Sequence, residues 1–201
     1  MDFPINRFAY TGAVVSCKEF GSGHINTTMK VKTDSDHTYI LQRINHNVFK
    51  NPMEVMENAA AVTEHLRKKD PDPTHSLRFL QTKDGAFCYK DVSGNYWRMY
   101  EFVPGLALDV PEQPEDLYAA GLGFGNFQQM LLDFPAHTLH ETIPRFHDTP
   151  NRYKLLETAI ANDRAGRLEK ARDLLPWVME QKALAGTLLE NKELQIGRAH
   201  V

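Results

Sequence analysis

The 201-residue sequence lacks the features that mark membrane and secreted proteins. No apolar segment approaches the length of a membrane-spanning helix. The N-terminus has no charged segment followed by an apolar run, which a secretory signal requires. The only two cysteines, Cys17 and Cys88, lie far apart and show no metal-ligand spacing, so buried reduced thiols are expected. These absences predict a cytoplasmic protein.

The sequence also lacks the basic surface that a nucleic-acid-binding protein needs. The formal net charge is -3, and the longest basic run, Arg67 to Lys69, lies near the end of a predicted helix, where cations complement the helix dipole. Apolar residues make up 42% of the chain and charged residues 24%, which indicates a buried core rather than disorder. We therefore expect a globular protein with no nucleic-acid partner.

Hydrophobic periodicity divides the chain into a β-rich part and a helical part. The first part is predicted to contain one helix beginning at Pro52 and strands over residues 13–20, 27–33, 39–45, 77–81, 86–91 and 95–103. From Gln113 onward the pattern is helical, with a break or kink expected at Pro176. The sequence thus predicts an α+β protein with a β-rich lobe over residues 1–104 and a helical lobe over residues 105–195.

The first candidate site is the glycine-containing stretch "FGSGHINTT" at Phe20–Thr28, between two predicted strands. A Walker A loop is excluded because no Lys-Ser or Lys-Thr and no following helix are present. In a hairpin, glycines let the backbone approach a ligand closely and present N–H groups to phosphate oxygens. Taken alone, the stretch is also compatible with an ordinary turn.

The third strand adds a cation to this region. Alternation places Leu41 and Arg43 on one face, which would suit an apolar contact with a base beside a charge for phosphates. An edge-strand arginine paired with a surface carboxylate is the alternative. The following helix carries Glu54 and Glu57, and either could orient Arg43; periodicity does not choose between them, and we favour Glu57.

The stretch "YWRMYEFVPG" at Tyr96–Gly105 is an apolar strand that runs into a Pro-Gly exit between the two predicted lobes. Backbone groups at such a junction can hydrogen-bond the edge of a purine. A plain connector between lobes explains the same residues equally well.

Four separated segments together resemble one protein family, the kinase-like phosphotransferases that include aminoglycoside, choline and homoserine kinases. Within this family, the segments more closely resemble those of N-acetylhexosamine 1-kinases. It covers nearly the whole chain to about Gln195 and is carried by "FGSGHINTT", "YILQRINHNVFKNP", "GNYWRMYEFVPG" and "HETIPRFHDTPNRY".

This resemblance implies a protein-kinase-like two-lobed fold and a reaction. The reaction is transfer of the ATP γ-phosphate to the anomeric 1-hydroxyl of GlcNAc or GalNAc, with Mg²⁺. By position, the residues that would bind the nucleotide are Gly21, Ser22, Gly23, Leu41, Arg43, Glu57, Glu101 and Val103. Arg43 would stand where similar kinases have a strand lysine, and Glu101 and Val103 would offer backbone contacts to adenine. His24 would face the sugar, although an exposed turn histidine is the alternative.

The catalytic part of such a kinase is missing from the sequence. Phosphoryl transfer of this type uses an Asp in a His-x-Asp-x-x-x-x-Asn loop and a second Asp for Mg²⁺, and neither motif occurs. We therefore assign no catalytic residue or metal ligand and expect the metal ligands to lie beyond the end of the chain. The chain is expected to be C-terminally truncated, inactive alone, and non-native over residues 196–201.

Two other stretches imitate functional motifs. "FHDTPN" at Phe146–Asn151 has the wrong spacing for a catalytic loop, and helix capping by Thr149 and Pro150 explains it better. "GLGFG" at Gly121–Gly125 lies inside an amphipathic pattern with no preceding strand, so close helix packing is expected there instead of dinucleotide binding.

Two other functions remain open. One is a related small-molecule kinase that acts on homoserine, choline or an aminoglycoside. The other is a non-catalytic module that binds a nucleotide or a sugar.

Overall fold

The computed structural model describes residues 3–21, 23–105, 108, 110–146 and 148–187. By its internal contacts the chain separates into two units, the first extending through Thr142 and the second beginning at Ile143. This contact-based division assigns the helix after residue 113 to the first unit. It groups residues by contacts and does not test where the two predicted lobes meet, so the lobe boundary at residue 104 stays a prediction.

The first unit contains a six-stranded sheet in which every pairing is antiparallel. The sheet order is β1-β2-β3-β6-β4, and β5 also pairs with β6. The strands are β1 (Val14–Glu19), β2 (Thr27–Thr33), β3 (Thr38–Ile44), β4 (Phe79–Leu80), β5 (Tyr89–Lys90) and β6 (Tyr96–Glu101). The three strands predicted before residue 50 are thus found within one residue at each end. The strands predicted over 77–81 and 86–91 shorten to two residues each.

One face of the sheet is covered by the segment before β1, which includes a short 3₁₀ helix at Pro4–Arg7. We call this the N-terminal face. Alternation sends every second side chain of β2, β3 and β6 toward it. Its buried core consists of Phe8, Met29, Val31, Tyr39, Leu41, Leu80, Trp97 and Met99.

The opposite face of the sheet packs against the first helix, α1 (Pro52–Lys69), and we call it the helix face. Its buried core consists of Ile44, Met56, Phe79 and Cys88, with Tyr96 and Tyr100 packed against it. Proline at the first position of α1 costs no helical hydrogen bond, and the basic last turn complements the dipole as predicted.

The remaining helices follow in the order that periodicity predicts. They are α2 (Pro114–Met130), α3 (Thr149–Asn162), α4 (Leu168–Ala171) and α5 (Leu175–Glu180), with 3₁₀ helices at Ala136–Thr138 and Gln181–Leu184. Pro176 lies in the first turn of α5, so the predicted break falls just before it. None of the helices in these ranges combines the length and apolar character needed to cross a membrane.

Two details of the helices differ from the sequence analysis. The N-cap of α3 is Asp148 rather than Thr149, and its carboxylate accepts a hydrogen bond from the Asn151 amide at 2.9 Å. The glycines of α2 do lie inside a helix, but a Cβ added to Gly121, Gly123 or Gly125 would meet no described atom within 4 Å. Close helix packing therefore does not explain these glycines among the described residues.

Candidate functional site

The glycine stretch forms the tip of the β1–β2 hairpin. The Phe20 amide donates to the Thr28 carbonyl at 3.0 Å, which closes the hairpin directly below the tip. Gly21 has a φ of +84°, a backbone conformation that disfavours any residue with a Cβ. Gly23 and His24 are exposed, whereas Ser22 lies outside the described residues. The hairpin tip therefore presents its backbone and one imidazole to solvent.

The hairpin is held against the segment that follows β6. The rings of Phe20 and Phe102 meet edge to face with centroids 5.6 Å apart. The ammonium of Lys30 on β2 lies 3.5 Å from the Phe102 centroid and 5.0 Å from that of Phe20. These aromatic and cation–π contacts join the glycine hairpin to the exit segment across the helix face, although strand pairing puts the hairpin tip and the exit segment at opposite ends of the strands.

The exit segment contains the two residues predicted to contact a base. The Glu101 amide donates to the Arg78 carbonyl at 3.0 Å, and the Glu101 carboxylate lies 3.6 Å from the Arg78 guanidinium. The Phe102 amide donates to the Thr38 carbonyl. No described residue accepts a hydrogen bond from the amide of Val103, which is half-buried. Of these three amides, Val103 is the one available to a ligand.

Arg43 is exposed near the start of β2. Its Nη2 donates to Thr27 Oγ1 at 3.0 Å, and the two residues are direct partners across the β2–β3 pairing. It borders a polar cavity of about 230 Å³. The cavity is lined by Ile25, Thr27, Arg43, Ile44, Asn45, His46, Asn47 and Asn95.

The predicted pairing of Arg43 with Glu57 is not formed. Glu57 Oε2 instead lies 2.8 Å from His140 Nε2. The physical reason is strand alternation: Ile44 packs against α1 on the helix face, so Arg43 belongs to the N-terminal face, away from the helix that carries Glu57. Glu54 makes no ion pair with Arg43 either.

Leu41 shares the N-terminal face with Arg43, as predicted, but it is 0% exposed. It packs in the cluster that Phe8, Met29 and Met99 help to form. The packing of the N-terminal segment fills the space over this side chain, so the structure leaves no open apolar surface there for a base. The sequence pattern grouped Leu41 and Arg43 correctly but could not tell which face the N-terminal segment covers.

A polar pair that was not predicted from the sequence lies at the centre of the helix face. Gln42 on β3 and Arg98 on β6 are direct cross-strand partners. Gln42 Oε1 accepts hydrogen bonds from Arg98 Nε at 2.9 Å and from Nη2 at 2.6 Å. Gln42 Nε2 donates to Thr28 Oγ1 on β2 at 2.9 Å. An arginine inside the apolar strand "YWRMYE" was the available sequence signal, but its partner depends on the β3–β6 pairing.

A family model described as "Phosphotransferase enzyme family" matches residues 16–200. The chain belongs to this phosphotransferase enzyme family. The fold is also similar to the crystal structure of an aminoglycoside phosphotransferase from Alicyclobacillus acidocaldarius, with a TM-score of 0.58 and 16% sequence identity. That match covers 91% of this chain and 52% of the other, so the chain spans about half the length of the solved structure. The predicted α+β, protein-kinase-like fold class is confirmed.

Burial alters the acid–base properties of the groups on the helix face of the sheet. Desolvation lowers the pKa of the Arg98 guanidinium and raises that of the Tyr100 hydroxyl. It also raises the pKa of the Cys88 thiol to about 11, although the Trp97 backbone N–H and the charge of Arg98 act in the opposite direction. Arg98 therefore keeps its charge in an environment that opposes it.

The described residues offer no metal centre. Within the ranges that the structure covers, no group of three or more His, Cys, Asp or Glu side chains is placed to hold a metal ion. We assign no metal-ligand role to these residues and derive no step through Mg²⁺.

Proposed function

We propose that the chain is the nucleotide-binding part of an ATP-dependent phosphotransferase that acts on a hydroxyl group of a small molecule. One observation carries the proposal: the Phe20–Phe102 contact joins the base of the glycine hairpin to the exit segment of β6, so that both elements border the helix face of the sheet. These are the two backbone elements that a nucleotide needs, one for its phosphates and one for its base.

Each element has a specific part in this proposal. The hairpin tip with Gly21 and Gly23 covers the phosphates through backbone N–H groups, and the Ser22 contact stays a prediction. The Val103 amide, which has no described partner, donates to the purine edge, and the Glu101 backbone lies beside it. Members of this family generally use ATP with Mg²⁺, and the metal neutralises phosphate charge when it is bound.

For the acceptor, we propose an N-acetylhexosamine, phosphorylated at its anomeric hydroxyl. The support is the resemblance of the four quoted segments to N-acetylhexosamine 1-kinases, together with the exposed position of His24 beside the hairpin tip. An aminoglycoside is the second candidate, because the similar solved structure is an aminoglycoside phosphotransferase. A homoserine or choline kinase and a non-catalytic binding module remain further alternatives.

Calorimetric titration of the 201-residue chain with MgATP tests the nucleotide site. We expect saturable binding with a 1:1 stoichiometry, and Gly21→Val should weaken it, because a β-branched residue is strained at this positive φ. Gly125→Ala in α2 is the matched control, since an added Cβ has free space there. Absence of nucleotide binding by the wild-type chain would contradict the proposal.

A coupled assay of ADP release tests activity. We expect no GlcNAc-dependent turnover by this chain, because its sequence contains no His-x-Asp-x-x-x-x-Asn loop. Measurable turnover would overturn the expectation of inactivity.

The acceptor class can be tested by NMR of the His24 ring in the presence of MgADP. GlcNAc and GalNAc should shift the His24 signals, whereas choline, homoserine and kanamycin should not. Shifts induced by kanamycin alone would favour the aminoglycoside alternative, and His24→Ala should weaken GlcNAc binding measured by calorimetry in the presence of MgADP.

A further inference from the structure

Arg98 carries a positive charge that no described carboxylate balances. None of the ion pairs in the described ranges includes this residue. Its guanidinium lies 5.7 Å from the centroid of the Phe79 ring and donates weakly to Met56 Sδ at 3.7 Å. A cation placed among neutral and apolar groups costs free energy unless an anion joins it. The arrangement therefore favours the binding of an anion at Arg98.

The guanidinium also has donors left for such a ligand. Two of its N–H groups bind Gln42 Oε1 and one faces Met56 Sδ. An arginine has five N–H donors in a planar fork that matches phosphate geometry, so two remain. Arg98 is half-buried rather than enclosed, which leaves these donors within reach of a bound molecule.

A row of side chains connects Arg98 to the glycine hairpin. Arg98 binds Gln42, and Gln42 binds Thr28, across the adjacent strands β6, β3 and β2. The Thr28 carbonyl in turn accepts the hydrogen bond from Phe20 that closes the hairpin below its tip. All three side chains of the row lie on the helix face, because they occupy directly paired positions.

Arg43 does not have these properties. It lies on the other face of the sheet, is exposed, and already donates to Thr27 Oγ1. Its charge is exposed to water and costs little without a partner.

We propose that Arg98, rather than Arg43, is the cation that binds the nucleotide phosphates under the glycine hairpin, with Gln42 as the positioning residue that orients it. This inference rests on the proposed function. The cation is thus supplied by β6 instead of by β3, and the neutral Gln42 holds the guanidinium without neutralising it.

The first experiment compares three arginine variants of the 201-residue chain. Each is titrated calorimetrically with MgATP and, separately, with metal-free tripolyphosphate. Arg98→Met should weaken binding of both ligands about 10-fold or more, the effect of losing a charge-assisted contact. Arg172→Met is the matched control, because that exposed arginine pairs only with Glu169 in the second unit, and it should bind both ligands like the wild type.

Arg43→Met tests the competing hypothesis that Arg43 binds the phosphates. Weakened binding in Arg43→Met together with unchanged binding in Arg98→Met would overturn the inference while leaving the proposed function intact. Failure of the wild-type chain to bind MgATP would instead refute the proposed function, and the inference with it.

A second variant keeps Arg98 in place, so that the inference can still be tested if Arg98→Met does not fold. Gln42→Glu gives the guanidinium a permanent counter-charge of nearly the same shape, and the Thr28 hydroxyl can rotate to donate to the new carboxylate. Affinity for tripolyphosphate should fall about 10-fold or more and depend less steeply on salt. If Arg98 only joins β3 to β6, Gln42→Glu will leave the affinity and its salt dependence unchanged, and that result would overturn the inference.

Discussion

At the scale of single residues, burial on the helix face determines the chemistry of Cys88. The thiol is 6% exposed, and its raised pKa of about 11 compares with 9.0 for an unperturbed cysteine. Between these values the unfolded chain has released a proton that the folded chain still holds. Because the unfolded state then binds fewer protons, the free energy of unfolding must fall as the pH rises through this window.

We therefore predict that the free energy of unfolding of the wild type, measured by urea denaturation, falls between pH 8 and pH 10.5. Cys88 should account for at most about 2 kcal/mol of this decrease. Cys88→Ala should show a shallower pH dependence, because this titration is removed. Cys17→Ala is the comparison: burial also raises the pKa of the Cys17 thiol, but this residue is only partly buried, so its removal should change the pH dependence less than Cys88→Ala does. If the free energy of unfolding depends on pH equally steeply in the wild type and in Cys88→Ala, the titration does not belong to Cys88.

Residue-level roles were the hardest to predict from the sequence. Alternation correctly placed Leu41 and Arg43 on the same side of β3, but the identity of that side depends on Phe8 and its neighbours, which arrive from a distant part of the chain. Arg98 stood out only as an arginine inside an apolar strand, and its role could not be predicted because its partner Gln42 is 56 positions away and is set by strand pairing. Sequence patterns report local geometry, whereas a site is formed by non-local pairing.

At the scale of elements, periodicity and turn chemistry predicted most of the fold. The β1–β2–β3 order and the start of α1 at Pro52 followed from alternation and from a proline at the first helical position. The lengths of β4 and β5 were overestimated, because β6 pairs with each of them over only two residue positions. An apolar run indicates burial, but it does not show how many of its residues find a strand partner.

The contact between α1 and the segment after α2 was also invisible in the sequence. Asn58 is 4% exposed on α1, and its side chain makes two hydrogen bonds to the backbone of His140. Asn58 Nδ2 donates to the His140 carbonyl at 2.9 Å, and Asn58 Oδ1 accepts from the His140 amide at 2.9 Å. This pair ties the helix to a segment 82 positions away.

We predict that Asn58→Ala lowers the free energy of unfolding by about 2 kcal/mol, because it removes a buried side chain and leaves partly buried backbone groups of His140 without these partners. Urea denaturation measures the loss, and hydrogen exchange should show reduced protection of the His140 amide. Asn51→Ala is the control, since the Asn51 side chain makes no capping hydrogen bond at the start of α1, and its effect should stay below about 0.5 kcal/mol. An Asn58→Ala chain as stable as Asn51→Ala would show that the contact contributes nothing.

At the scale of the whole chain, the balance of buried and exposed apolar surface differs between the sheet and α2. The sheet has buried cores on both faces, whereas α2 has no buried residue. Leu117, Tyr118, Leu122 and Phe124 are between 52% and 74% exposed. Their helical spacing places them on one broad side of α2, which forms a contiguous apolar patch.

We predict that the 201-residue chain binds a hydrophobic fluorescent dye under native conditions and that this patch accounts for much of the binding. Leu117→Gln combined with Phe124→Gln should reduce the dye signal without lowering the melting temperature, because neither side chain is buried. Val92→Gln is the control for an exposed apolar side chain outside α2: Val92 is fully exposed in the turn between β5 and β6, and its replacement should lower the signal less than the double variant does. A folded chain that binds no dye, or a double variant that melts at a clearly lower temperature, would show that these side chains are covered in solution.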